Sequence, residues 1–230
     1  MFEQFRHRSH ALERLDTGDY TSAEYARWQR EMRFIHGILG ERNALQNSLI
    51  KHVRESGLSY ASIVDIGAGT GNILKLVKKG LADRDVFAIA VETSDDALRG
   101  VIAEQRTTGI QPVKCSGLQL PFDDHTVDYA ICTLVLHHLS DDDAVRLISE
   151  MCRVSRRRFF VIDLNRHPVG YYAWRAVSRL LFQSFTREDG ALSILRSFTA
   201  DELLGLAKTA GVSEVKVEHS RANRLVLSGR

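Results

Sequence analysis

Long apolar runs are missing from this chain of 230 residues: no stretch approaches the roughly 20 apolar residues that cross a bilayer, which excludes a membrane-spanning helix. Cysteine is scarce as well. Cys115, Cys132 and Cys152 stand apart within apolar stretches, and none forms the Cys-x-x-Cys pair of a zinc or redox site, so a reducing, cytoplasmic setting fits best. Charge of one sign is also lacking. The 31 Lys and Arg against 29 Asp and Glu leave a formal charge of +2, too little to advertise nucleic acid as a partner. The opening Met1-Phe2-Glu3-Gln4-Phe5-Arg6 has no apolar run behind a basic start, which argues against a signal peptide. There is no internal repeat and no low-complexity segment.

What is present is apolar content of 44%, enough for one sizeable core without staples or metals. In residues 1–60, charges of both signs interleave with Phe34, Ile35, Ile38, Leu39, Leu45 and Leu49 near helical spacing, which predicts a cap of two or three amphipathic helices. From Ser62 the texture changes to short apolar runs, Ile63 to Ile66, Val86 to Val91, Val127 to Cys132 and Phe159 to Leu164, with helical patterns between most of them. This alternation predicts a single α/β domain over residues 61–230, a mostly parallel sheet with helices on both faces. Ser140 with Asp143, and Thr199 with Glu202, read as helix starts, and Gly211 as a helix stop. Val212 to Val217 and Leu225 to Leu227 are the last strand candidates.

The sharpest signal is Val64-Asp65-Ile66-Gly67-Ala68-Gly69-Thr70-Gly71-Asn72, joining the first strand to a helix over Ile73 to Lys79. Glycines here let the backbone turn tightly and approach a ligand closely. A dinucleotide-binding loop wants its third glycine one place later, where Asn72 stands. Such a triplet can also be a mere strand-to-helix turn, but it has an acidic partner. The second strand ends in Glu92, followed by Thr93, and an acid at that strand end can accept hydrogen bonds from both hydroxyls of a ribose.

Asp65 to Gly71, Glu92, the later Leu120-Pro121-Phe122-Asp123-Asp124 and the phrase Leu136-His137-His138-Leu139 together resemble the class I S-adenosylmethionine (SAM) dependent methyltransferases, in the branch of ubiquinone-biosynthesis and small-molecule enzymes. The resemblance covers residues 60–165 strongly and the flanks loosely. It implies a Rossmann-like, seven-stranded sheet and SAM as cofactor, with S-adenosylhomocysteine (SAH) as product. It further implies that Gly67, Ala68, Gly69, Gly71 and Asn72 pass beneath the methionine part, that Asp65 supports its amino group, that Glu92 holds the ribose and that Thr93 flanks the adenine. Where the family usually has an adenine-reading aspartate, this chain has Ser116, followed by Gly117 and Leu118. A serine oxygen can accept the same bond without the charge, or simply cap a turn.

Thr133 ends the fourth strand, where its carbonyl would face the cofactor's amino group. His137 and His138 follow, and Asp163 closes the next strand, so these side chains should meet beyond the carboxyl ends of the strands. A hydroxyl acceptor must lose a proton, and His138, preferred over His137, can take it when oriented by Asp163. A structural role for the pair stays open. No metal is expected, because no further His, Cys or carboxylate shows ligand spacing.

Between Asp163 and Thr199 a helical insertion at about residues 166–198 carries Tyr171, Trp174, Leu181, Phe182 and Phe185, which can share one helical face over the mouth or serve as core. Arg153, Arg156, Arg157, Arg158, Arg166, Arg175 and Arg179 fall in the same part of the chain, and peripheral contact with an anionic membrane is the expectation they raise beside a solvated basic turn. The expected activity is O-methylation of a small aromatic, polyketide-like or quinone-like acceptor, as in secondary metabolism. C-methylation of a phenol or quinone, a nucleic-acid methyltransferase and a silent SAM-binding protein are the alternatives. The oligomeric state is not legible.

Overall fold

In the first strand, β1 (Tyr60–Ile66), successive side chains point to opposite faces, and both faces are apolar: Ala61 and Ile63 enter one cluster, Val64 and Ile66 another. A strand buried on both sides belongs in the middle of a helix-covered sheet. The computed structural model, which describes residues 3–38 and 40–230, places it there. Leu39 and the side chain of Ile38, two apolar positions expected in the N-terminal helices, lie outside the described residues.

Beside β1 run β2 (Asp85–Glu92), β3 (Ile110–Lys114), β4 (Val127–Thr133), β5 (Ser155–Leu164), β6 (Lys216–Ser220) and β7 (Arg224–Gly229). The order is β3-β2-β1-β4-β5-β7-β6, with the first five strands parallel and β7 antiparallel to both of its neighbours. This is the seven-stranded, mostly parallel, Rossmann-like α/β sheet. β3 has almost no sequence signal, because it is five residues long and holds Pro112. It pairs only with β2 at the sheet edge, where a residue without an N–H is tolerated. The strand expected over Val212 to Val217 begins later, at Lys216. Gly211, at φ 79°, turns the chain after the preceding helix, and Val212 is spent plugging the core.

Ahead of β1 come the single turn α1 (Arg14–Thr17), α2 (Ser22–Ile38), and the short helices α3 (Glu41–Leu45) and α4 (Lys51–Glu55), joined by a π-helical turn over Gln46–Ile50. Leu45, Leu49 and Val53 pack with α5 (Asn72–Gly80) on one face of the sheet. Glu41 and Arg224, both buried, pin α3 to the end of β7 through bonds of 2.6 and 3.0 Å. The crossover between β2 and β3 is α6 (Asp95–Thr108), and α7 (Asp141–Val154) covers the opposite face. Ser140 caps α7 through the Asp143 N–H at 3.1 Å.

The insertion after β5 is two helices, α8 (Pro168–Leu181) and α9 (Ser184–Arg196), followed by α10 (Ala200–Thr209) with a reciprocal Thr199–Glu202 capping box. The single aromatic face expected here is therefore broken at Phe182, whose extended backbone separates the helices. Tyr171 and Phe185 are buried while Leu181 is exposed. The seven arginines do not form one basic face either. Arg153 binds Glu150 and Asp124, Arg156 and Arg157 reach Asp128, Arg158 binds Glu214 and Arg166 binds Glu202. Arg175 and Arg179 stay exposed on α8, beside the outward-facing Val169, Tyr172, Val177 and Leu180. Among the described residues, no helix is long and apolar enough to cross a membrane.

Candidate functional site

The loop after β1 depends on its glycines for a stated reason: Gly67, Gly69 and Gly71 have φ of 71°, 53° and 74°, the left-handed region that side chains avoid. Space matters too, since a Cβ on Gly67 would lie 2.5 Å from Cγ2 of Val135. The N–H groups of Gly67 and Ala68 both donate to the carbonyl of Val91, laying the loop across the end of β2. Glu92 then buttresses it. Its Oε2 accepts from the Gly69 N–H at 2.9 Å, and its Oε1 accepts from the N–H groups of Thr93 at 2.7 Å and Ser94 at 3.0 Å. The Thr93 hydroxyl donates to the same Oε1 at 3.2 Å. Of the roughly four lone pairs of the carboxylate, one on Oε2 thus stays free, while Oε1 is fully used by its three donors.

Beneath the loop, Asp65 is 1% exposed and neither carboxylate oxygen has a hydrogen-bond partner. Burial, with the nearby Glu92 adding to it, pushes its carboxyl well above the usual range. A buried carboxyl without donors is costly, so its placement marks a spot where a ligand's donor is wanted. On the neighbouring strand, the Thr133 hydroxyl is likewise buried without a partner. Leu134, directly after it, has φ 57°, and its N–H is held by the carbonyl of Ile162 at 2.9 Å. A non-glycine residue in that region stores about 1 kcal/mol or more, and such strain collects at functional sites.

Ser116, Gly117 and Leu118 approach the same rim. A Cβ on Gly117 would meet Cγ2 of Ile66 at 2.5 Å, so only glycine lets this loop lie against the end of β1. The Ser116 hydroxyl accepts from the Leu118 N–H at 3.2 Å, capping its own turn, and stays exposed. Asn72 opens α5 with its amide bonded to the Thr70 hydroxyl at 3.1 Å.

The histidines divide their tasks in a way the sequence does not reveal. Asp163 orients His137, not the preferred His138: Oδ1 meets Nδ1 of His137 at 2.6 Å, while Oδ2 accepts the His137 N–H at 3.1 Å. The short 3-10 turn Leu136–His138 buries residue 137 toward β5 and leaves residue 138 at the mouth. Burial raises the Asp163 carboxyl, but His137 and the backbone N–H groups of Leu164 and His137 outweigh it and hold it below the usual range. His138 has its own carboxylate, with Nδ1 3.2 Å from Oδ1 of Asp16. Carboxylates only accept, so each Nδ1 carries a proton.

Asp16 and the nearby Glu13 come from the N-terminal segment, for which the sequence carries no signal of function. This segment is stitched over the strand ends. Asp189 on α9 accepts the N–H groups of Arg14 and Leu15 at 2.9 and 3.0 Å, and Arg8 donates to the carbonyls of His137 and Leu139 at 3.3 and 3.0 Å. Arg196, also buried, binds Asp16, Glu13 and the carbonyl of His138. Glu13 accepts from the Ser193 hydroxyl at 2.9 Å, and burial pushes its carboxyl up to about 7. One ligand atom each of Glu13, His137 and His138 lie within 4.8 Å of one another, a grouping made by chain reversal that local spacing in the sequence does not show. Next to Arg14, whose guanidinium lies 5.1 Å over the Phe185 ring, Tyr20, Tyr25, Trp28 and Phe185 stack with centroids 5.1 to 5.9 Å apart.

Residues 63–158 match a family model described as a methyltransferase domain. The demethylmenaquinone methyltransferase of Shouchella clausii is 24% identical over 173 residues, 68% of this chain and 72% of the relative. Among solved structures, the magnesium protoporphyrin IX methyltransferase of Synechocystis with bound SAH superposes with a TM-score of 0.62 at 15% identity, covering 94% of this chain and 99% of that one. A SAM-dependent methyltransferase from Aquifex aeolicus gives a TM-score of 0.56 at 15% identity, covering 78% and 88%.

Proposed function

The chain is a class I SAM-dependent methyltransferase, and from that premise we propose that it methylates an oxygen of a small aromatic or quinone-like acceptor. The observation that carries the cofactor half is the unpartnered Asp65 carboxyl under a loop of three left-handed glycines. SAM supplies a methyl group already activated on a sulfonium sulfur. Asp65 would take the amino group of its methionine part, with the Thr133 carbonyl on the other side. Gly67, Ala68, Gly69, Gly71 and Asn72 offer a close backbone surface, Glu92 and Thr93 the ribose contacts, and Ser116, Gly117 and Leu118 the adenine rim.

The acceptor half rests on the covered mouth. In-line displacement needs the nucleophile held in place and water kept away. The N-terminal segment and α9 are tied together beside the His137–His138 turn, and the four stacked rings lie along the same pair of elements, an apolar wall next to a polar corner. An aromatic acceptor would lie against the rings and bring its hydroxyl to that corner, beside His137 and His138. The S. clausii relative named for a quinone and the Synechocystis structure named for a porphyrin support a flat, largely apolar acceptor.

Calorimetric titration with SAH of the wild type and of Glu92→Gln tests the reading. Glutamine loses the charge and presents a donor to the loop's own donors. A hydrogen bond to a charged group is worth about 1.5–3 kcal/mol, so affinity should fall about tenfold or more. A folded wild type that does not bind SAH would sink the assignment of the site.

A further inference from the structure

We propose that Glu13, His137 and His138 bind a divalent first-row transition-metal ion at the acceptor side of the site. Three protein groups, two imidazoles and one carboxylate, gather with their ligand atoms within 4.8 Å of one another, and two of the three residues are buried. Such a set suits zinc, cobalt or iron, and it leaves a coordination position open for water or a ligand oxygen.

What separates this cluster from a chance meeting is its surroundings. Each ring nitrogen Nδ1 is engaged by its own carboxylate, His137 by Asp163 at 2.6 Å and His138 by Asp16 at 3.2 Å. Metal-binding histidines characteristically donate their second nitrogen to a carboxylate, which fixes the tautomer and aims the other lone pair. Here both do. Among the described residues no hydrogen bond engages either Nε2. The rings lie 4.2 Å apart, which is close for two imidazoles that do not bond each other. Ser193 and Arg196 hold Glu13 on the same side. The Arg196 guanidinium lies against Glu13, and the Asp16 carboxylate offsets its charge.

The position gives the site a task. It stands on the turn that begins at Val135, and Val135 presses on Gly67 of the cofactor loop. Resting on the methyltransferase reading, the open coordination position would hold the acceptor's hydroxyl oxygen beside the donor. The histidines would then act as ligands and not as bases.

The test uses the full-length chain after treatment with chelator. Cobalt(II) is titrated while the visible d–d absorption is followed, zinc(II) is titrated by calorimetry, and SAH binding is measured on the same samples. One ion per chain is expected for the wild type. Glu13→Gln and His138→Ala should weaken binding by about tenfold or more, and Asp16→Asn, which touches no ion, by about tenfold. SAH affinity should stay within about twofold in all three, since none lines the cofactor loop. A wild type that binds SAH but takes up no ion overturns the proposal, as does wild-type ion affinity in Glu13→Gln and His138→Ala. Ion binding without SAH binding would uphold the metal site and remove its link to methyl transfer.

Discussion

Replacing Asp65 by asparagine should strengthen the fold and weaken the cofactor site together. The carboxyl is buried, has no partner and is shifted well upward by burial and by Glu92. A folded-state carboxyl held above its unfolded value keeps its proton in the native chain. Its stabilising contribution is therefore complete below the ordinary carboxylate value of about 3.9 and is lost as pH rises toward the shifted one, by up to about 1.4 kcal/mol per pH unit. Asparagine is neutral throughout and escapes this loss. Thermal melts at pH 5 and pH 7 should show Asp65→Asn gaining on the wild type as pH rises, at about 2–4 °C per kcal/mol for a chain of this size. Binding should move the other way. In the proposed pairing the amino group of SAH wants the ionised form, so wild-type affinity should rise with pH across the same window, with proton release on binding. The variant loses a charge-assisted bond of about 1.5–3 kcal/mol, roughly 10- to 150-fold in Kd, and most of the pH dependence. Unchanged SAH affinity in a folded Asp65→Asn, or a stability difference that does not vary with pH, would refute the reasoning.

Two further outcomes follow from packing. Arg224→Met leaves Glu41 buried without its cation, and urea unfolding should show a loss of about 3–5 kcal/mol, far above that of a surface arginine. Two glycines in neighbouring helices should respond oppositely to alanine. A Cβ on Gly190 would come within 2.4 Å of the Trp174 ring and force α8 from α9, lowering the melting temperature. Gly205, with open space around it in α10, should gain about 0.5–1 kcal/mol. A Gly190→Ala variant as stable as Gly205→Ala would mean that the contact between these helices is not tight.

The sequence by itself determined the parts whose signal is local. β1, β2, β4 and β5 are apolar runs long enough to be buried on both faces, and the glycines at 67, 69 and 71 announce a backbone that only glycine adopts. The helix starts at Ser140 and Thr199 are equally local, since a cap and its partner lie three residues apart. Tertiary structure alone decided the rest. β3 exists because the edge of β2 offers it a partner, not because of its own composition, and the break at Phe182 is not foretold by any proline or glycine. The pairing of Asp163 with His137 depends on which way a three-residue turn rolls, and a turn that short has no periodicity to read. Glu13 and Asp16 look like any charged residues of a solvated segment. They reach the histidines only because Asp189, Ser193 and Arg196 on α9 draw that segment across the strand ends, through contacts between residues far apart in the chain.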